Sequence, residues 1–185
     1  RLNLGELQVS GDLEIIGLGV GLTAIVSDGA HRPFDVLPGA RLRLGGASLS
    51  GNGDPIASSG ALLRNAGELQ LADALLQNGS TSGDGGAIAN ESGATLGMAR
   101  VALIGNRAIG SGQGGAIINR GHATLENVLL TGNSANIAGA IMTRSIGAGA
   151  SLSMSHCTVV GNRSLSTSAA FSSLDYNGAP IATLR

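Results

Sequence analysis

Glu68–Gln77 reads ELQLADALLQ, Thr95–Ile104 reads TLGMARVALI and His122–Thr131 reads HATLENVLLT, each starting 27 residues after the one before. Counting from Leu69 as position 0, the apolar residues fall at 0, +2, +5 and +7: Leu69, Leu71, Ala74 and Leu76, then Leu96, Met98, Val101 and Leu103, then Ala123, Leu125, Val128 and Leu130. One step back lie Leu42, Leu44, Ala47 and Leu49. One step forward, after a two-residue insertion, lie Leu152, Met154, Cys157 and Val159. The next step lands on Ala179, Ile181 and Leu184. A shared period of this length marks a repeat architecture and governs every local reading.

Side chains two apart on a strand point to the same face, so 0 with +2 and +5 with +7 are two inward pairs. The three-residue step between them predicts a corner between two short strands. Helical spacing fits poorly, and glycine recurs throughout. A third strand recurs as Gly85-Gly86-Ala87-Ile88, Gly114-Gly115-Ala116-Ile117 and Ala138-Gly139-Ala140-Ile141, with Gly60-Ala61-Leu62 as a weaker forerunner. The expected fold is all-β: a right-handed parallel β-helix of five to seven coils, about 27 residues and three short strands per coil, the hand following the general rule for parallel crossovers.

Composition agrees. The chain has 185 residues, 31 glycines, four prolines and three aromatics (Phe34, Phe171 and Tyr176), which suits a narrow solenoid with many corners. Hydrophobic residues make up 43%, too many for a disordered chain. All 11 basic residues are arginine and the formal net charge is −1, so no basic face for nucleic acid is encoded. No apolar run is long enough for a transmembrane helix, so no membrane insertion by this segment is expected. Cys157 sits at an inward position, where a buried, inert thiol is expected. The chain opens at Arg1 within a strand-like pattern, as a mature or excised piece would.

One domain is expected over 1–185: irregular N-terminal coil or coils at 1–40, regular repeats at 41–163 and a degenerate, truncated coil at 164–185. Arg1–Ser10 (RLNLGELQVS) resembles Arg41–Ser50 (RLRLGGASLS), so Leu2, Leu4, Leu7 and Val9 are read as 0, +2, +5 and +7, forty residues ahead of Leu42, Leu44, Ala47 and Leu49. Residues 13–40 fit either one enlarged coil or two short ones, and Phe34 falls in the third-strand slot. After Asn162 the Ser-rich stretch lacks a Gly-Gly-Ala strand. Gly-Asn pairs at Asn52, Asn106, Asn133 and Asn162 follow the second strand, reversed at Asn78-Gly79, and are read as structural corners whose amides stack between coils. Asn65, Asn90 and Asn119 form a second such column.

The GGAI strands with a Gly-Asn corner some 20 residues later resemble the repeats of polymorphic outer-membrane proteins and of secreted bacterial β-helix repeat proteins. Residues 85–88 and 114–117 match the GGA[ILV] tetrad, and 138–141 has Ala for the first Gly. Where the family's second tetrad reads FxxN, this chain has LIGN (103–106), LTGN (130–133) and VVGN (159–162). The resemblance implies an extracellular or cell-surface passenger used in adhesion, self-assembly or scaffolding, and it transfers no catalytic residue.

Parallel β-helices also carry polysaccharide lyases and glycosidases, so a carbohydrate-active enzyme is the alternative. Its weak catalytic candidates are Asp73, Arg100 and His156, which share the outward +4 column with Gly46 and Asn127. Structural ion pairing between Asp73 and Arg100 is the plainer reading, as it is for Arg41 and Glu68 at −1. Asp54, Asp84 and Glu91 read as scattered in different loops, so no metal site and no cofactor is expected. The outward positions +6 and +8 include Leu75, Ala102, Ile104, Leu129, Thr131 and Val160, an apolar, uncharged strip that reads equally well as a contact face or as a face covered by a local loop. The expected partners are other protein surfaces: copies of the chain itself or a host or cell-surface receptor, with polysaccharide as the alternative.

Overall fold

The computed structural model describes residues 5–145, 149–166, 170–175 and 182–184. Every strand pairing among them is parallel, and the coils stack as a solenoid of about 6 turns. Position k of one coil lies beside position k of the next: Leu42 pairs with Leu69, Leu69 with Leu96, Leu96 with Ala123 and Ala123 with Leu152. The +2 and +7 columns run in the same way, through Leu44, Leu71, Met98, Leu125 and Met154, and through Leu49, Leu76, Leu103, Leu130 and Val159. These columns and the third-strand residues Phe34, Leu63, Ile88, Ile117 and Ile141 make one continuous core, with Cys157 half-buried against it.

The corner expected between +2 and +5 is a column of left-handed backbone. Gly46, Asp73, Arg100, Asn127 and His156 have φ of 61°, 49°, 55°, 52° and 54°. A second left-handed column, at Gly105, Gly132 and Gly161, precedes Asn106 and Asn133, which are buried, and Asn162, which is half-buried. In the reversed pair Asn78 takes that backbone slot with φ 55°. The first glycine of GGAI turns the chain into the third strand in the same conformation (Gly85 φ 69°, Gly114 φ 68°), and Ala138 occupies this slot with φ 58°. The second glycine serves contact between coils: a Cβ on Gly86 would lie 2.1 Å from the Gly115 carbonyl oxygen. Outside the third-strand sheet a small second cluster of Ala89, Ile118, Ala138 and Met142 is buried with Ile137 packed on it, so the loops cover this sheet on its outer side.

Two asparagine ladders run through the interior. Asn65 Nδ2 donates to Asn90 Oδ1 and Asn90 Nδ2 to Asn119 Oδ1, both at 2.8 Å. Thr143 pairs beside Asn119 in the next coil, and Asn119 Nδ2 donates to the Ser151 carbonyl oxygen at 2.9 Å. In the second ladder Asn133 Oδ1 accepts from both the Asn106 backbone N–H (2.9 Å) and Nδ2 (3.0 Å), and Asn162 Oδ1 accepts the same pair from Asn133. Each lower Nδ2 also reaches a backbone carbonyl, Leu76 from Asn106 and Leu103 from Asn133. Asn65, Asn90, Asn106, Asn119 and Asn133 are fully buried, which is tolerable only because their amides are bonded.

The two ends depart from the expected register, and so does one corner. Leu7–Val9 is a third-strand segment paired with Phe34–Val36, not a +5/+7 segment, and Leu2 and Leu4 lie outside the described residues. Leu13 and Ile15 pair with Leu42 and Leu44, and Ile25 with Leu49, so residues 13–40 form one coil with an enlarged corner between its first two strands. Asn52 is exposed and does not join the ladder; it bonds Asp54 two residues on. At the far end a third strand does exist, Phe171–Asp175, and Ala182 and Leu184 pair with Leu152 and Met154, three residues later than the period predicts. Ala179 and Ile181 lie outside the described residues.

The ladder predicts an asymmetric cost. Asn133→Ala leaves the buried Asn106 N–H without its acceptor and Asn106 Nδ2 with the Leu76 carbonyl alone, at about 1–3 kcal/mol for an unsatisfied buried group. Thermal unfolding followed by circular dichroism should show a clearly lower midpoint for this variant and little change for Asn52→Ala.

Candidate functional surfaces

The +4 column gathers every catalytic candidate on one line, but only two of them touch. Arg100 Nε and Nη2 donate to Asp73 Oδ1 and Oδ2 at 2.7 and 2.8 Å, a bidentate pair with both side chains exposed. The hydrogen bond from Arg100 holds the Asp73 carboxyl below the usual carboxylate range. Glu126, on the far side, adds to the field at Arg100. His156 stands three coils from Asp73, roughly 14 Å at the usual strand spacing. The column's composition has a backbone cause as well, since Gly, Asn, Asp and His tolerate the left-handed conformation that the corner requires. A general acid for glycoside cleavage needs a raised carboxyl value, and Asp73 is shifted the opposite way.

Beside this column, on the outer face of the first-strand sheet, an open groove of about 610 Å³ runs across the coils. Its floor is made of small residues, Gly45, Ala72, Gly97 and Ala99, with Glu14, Arg43, Gln70, Thr124 and Glu126 among its polar lining. Glu14 and Glu126 belong to coils four steps apart, roughly 19 Å at the strand spacing. Paired glycosidase carboxylates stand about 5–9.5 Å apart, so these two do not form such a pair.

Ionic ladders occupy other columns. Arg41 bonds Glu68 at 2.8 Å and reaches Asp12 at 3.4 Å, as its place at −1 suggests. Farther along that column His122 Nδ1 lies 2.9 Å from Ser151 Oγ, an exposed pair. On the third-strand side Arg64 joins Asp35 (2.9 Å) to Glu91 (3.5 Å), and Arg120 joins Glu91 (3.4 Å) to Asp84 (2.6 Å). Asp84 and Glu91 are therefore not scattered: loops of unequal length bring them to one guanidinium. The period does not reveal this, because loop residues do not follow it. Among the described residues no group of three metal-ligating side chains comes together, and no helix is long and apolar enough to cross a membrane.

Apart from Ser48, which is buried with its hydroxyl donating to the Thr23 carbonyl oxygen at 3.2 Å, the +6/+8 positions face outward, in two columns. One holds Ala24, Ser48, Leu75, Ala102, Leu129 and Thr158; the other holds Val26, Ser50, Gln77, Ile104, Thr131 and Val160. None is charged. Ile104 is 36% and Val160 56% exposed, and Leu75 and Leu129 are half-buried. Ala24 and Val26 escape a reading by period, because the enlarged corner of their coil takes them out of step. Comparison of the chain with protein-family models, curated proteins and solved structures gives no match.

The Asp73–Arg100 pair carries a pH signature. A carboxyl lowered by folding contributes stability above its unfolded value, and that contribution is lost as pH falls through the folded value. Arg100→Ala should move the Asp73 titration midpoint upward, toward an ordinary aspartate, in a carboxyl NMR titration. An unmoved midpoint would show that the guanidinium does not set it.

Proposed function

We propose that this chain is a non-enzymatic extracellular structural or adhesive module that works by surface contact with another protein surface: a second copy of itself or a cell-surface receptor. The observation that carries this reading is the uncharged +6/+8 strip. It spans six coils in two registered columns, and Ile104 and Val160 remain open to solvent. Contiguous apolar surface on such a face commonly marks contact. Burying it is worth roughly 25 cal/mol per Å² of apolar area before association costs. The extracellular assignment, and kinship with secreted and outer-membrane β-helix passengers, rest on the GGAI-type repeat and its Gly-Asn corner.

Because the +6 and +8 side chains point away from the core, an Ile104→Arg, Leu129→Glu double variant should keep the melting curve of the wild type and lose assembly or receptor contact. Light scattering and electron microscopy of wild type and variant across a concentration series check this. Equal association by both would remove the strip from the reading.

The 610 Å³ groove favours a second reading, carbohydrate contact along the first-strand sheet. Its carboxylate spacing supports binding without cleavage. Incubation with acidic and neutral polysaccharides should therefore release neither reducing ends nor unsaturated products. Release by the wild type that is lost in Asp73→Asn or His156→Ala would replace the scaffold with an enzyme.

A further inference from the structure

Two Asn-Gly dipeptides stand in the described part of the chain, Asn52-Gly53 and Asn78-Gly79, and the fold treats them in opposite ways. The backbone nitrogen after an asparagine can attack the side-chain amide carbon, and glycine, which has no Cβ, hinders that approach least. The attack needs a nitrogen that is free of other bonds and open to solvent. Gly79 fails on both counts. It is buried, and its N–H donates to Oδ1 of Asn106, the first amide of the ladder, at 2.9 Å. Gly53 meets both conditions. It is exposed with φ 90°, a Cβ there would meet nothing within 4 Å, and its N–H donates to no described residue.

Asn52 itself is prepared for the reaction. Its Oδ1 accepts the Asp54 N–H at 3.0 Å, a turn that folds the side chain forward over the Gly53 peptide and draws electron density from Cγ. Its Nδ2 donates to Asp54 Oδ2 at 2.8 Å. The amide also lies against the turn of the first coil, since a Cβ on Gly29 would fall 2.1 Å from Nδ2.

We propose that Asn52 is a site of spontaneous deamidation, and that its conversion frees the 52–55 loop from the first coil. The Gly53 nitrogen bonds to Asn52 Cγ and gives its proton to water. The Cγ–Nδ2 bond breaks, and the nitrogen leaves as ammonia with a proton from water. A second water then opens the cyclic imide at either carbonyl, leaving an aspartyl or isoaspartyl residue, so the sum is amide plus water to carboxylic acid plus ammonia. The new carboxylate faces that of Asp54 where an N–H donor stood before. One hydrogen bond is thus replaced by like-charge repulsion, beside the turn that carries Asp28. The ladder asparagines Asn106, Asn133 and Asn162 are followed by Arg or Ser and held by bonded amides, so the same residue type is protected inside and labile outside.

The test is peptide mapping by mass spectrometry after the full chain has been held folded at mildly alkaline pH. The peptide with Asn52 should show the mass gain of NH2 replaced by OH in two separable forms, while the peptide with Asn78 stays intact. In urea both should convert, because the protection of Asn78 comes from the fold. Asn52 intact in the folded chain, Asn78 converting alongside it, or Asn78 remaining intact in urea would each overturn the assignment. An Asn52→Asp variant should lose hydrogen-exchange protection at 52–57 and at the 28–31 turn. Unchanged exchange there would overturn the release of the loop.

Discussion

Hydrogen bonding between coils is the constraint on which everything else in this molecule rests. Each strand bonds to the same strand of the neighbouring coil, so a single coil satisfies almost none of its own backbone groups. Neighbours must therefore match position for position, and any residue tolerated at one position is repeated, or compensated, about 4.8 Å away. The asparagine ladders extend this logic to side chains. A buried amide with one partner would be a liability, yet stacked amides donate to the next coil while accepting from the last. Asn162 shows how the pattern closes, its Nδ2 reaching back to the Leu130 carbonyl at 2.8 Å.

Corners set the second constraint. A coil of about 27 residues has to turn several times, and three of those turns use left-handed backbone at a recurring position. This explains why the +4 column holds Gly, Asp, Asn and His, a set that on an open sheet would invite a search for catalysis. Arg100 is the member that backbone preference does not favour, and it is also the one tied by two hydrogen bonds to the coil below. Ala138 has no such bond and keeps its φ of 58° only because the coil closes around it, fully buried against Ile118 and Met142.

Where sequence reading succeeded and failed follows from the same two constraints. The inward columns were legible because stacking forces like residues into like positions. The buried Asn65, Asn90 and Asn119 were legible because an amide ladder needs the same residue in successive coils. Leu7 and Val9 misled because an alternating apolar pair fits the third strand as well as the second, and only the pairing of Leu7 with Phe34 decides between them. Asn52 misled because a Gly-Asn pair signals a sharp turn without specifying which way the amide points. The meeting of Asp84 and Glu91 at Arg120 was hidden because both acids lie where loop length varies from coil to coil.

Charge placement bears on what the molecule presents to its surroundings. Columns of one charge repel when stacked at the strand spacing, so a solenoid with charged outward positions alternates signs. Asp12–Arg41–Glu68 does so at −1, Asp73–Arg100 at +4, and Asp35–Arg64–Glu91–Arg120–Asp84 on the third-strand side. The pairs at −1 and +4 are solvent-exposed and add little stability individually, whereas Asp35 of the third-strand ladder is buried and Arg120 half-buried. These pairs place charge in three separate columns of the solenoid. The +6/+8 strip lies outside all three ladders and is free of charge along every coil where it is described. Stacking does not require this, since Arg41 and Glu68 at −1 show that an ion pair fits between stacked strands. On the contact reading proposed above, this uncharged side among charged ones is the side from which a partner would remove water at least cost, because no charge has to be desolvated there.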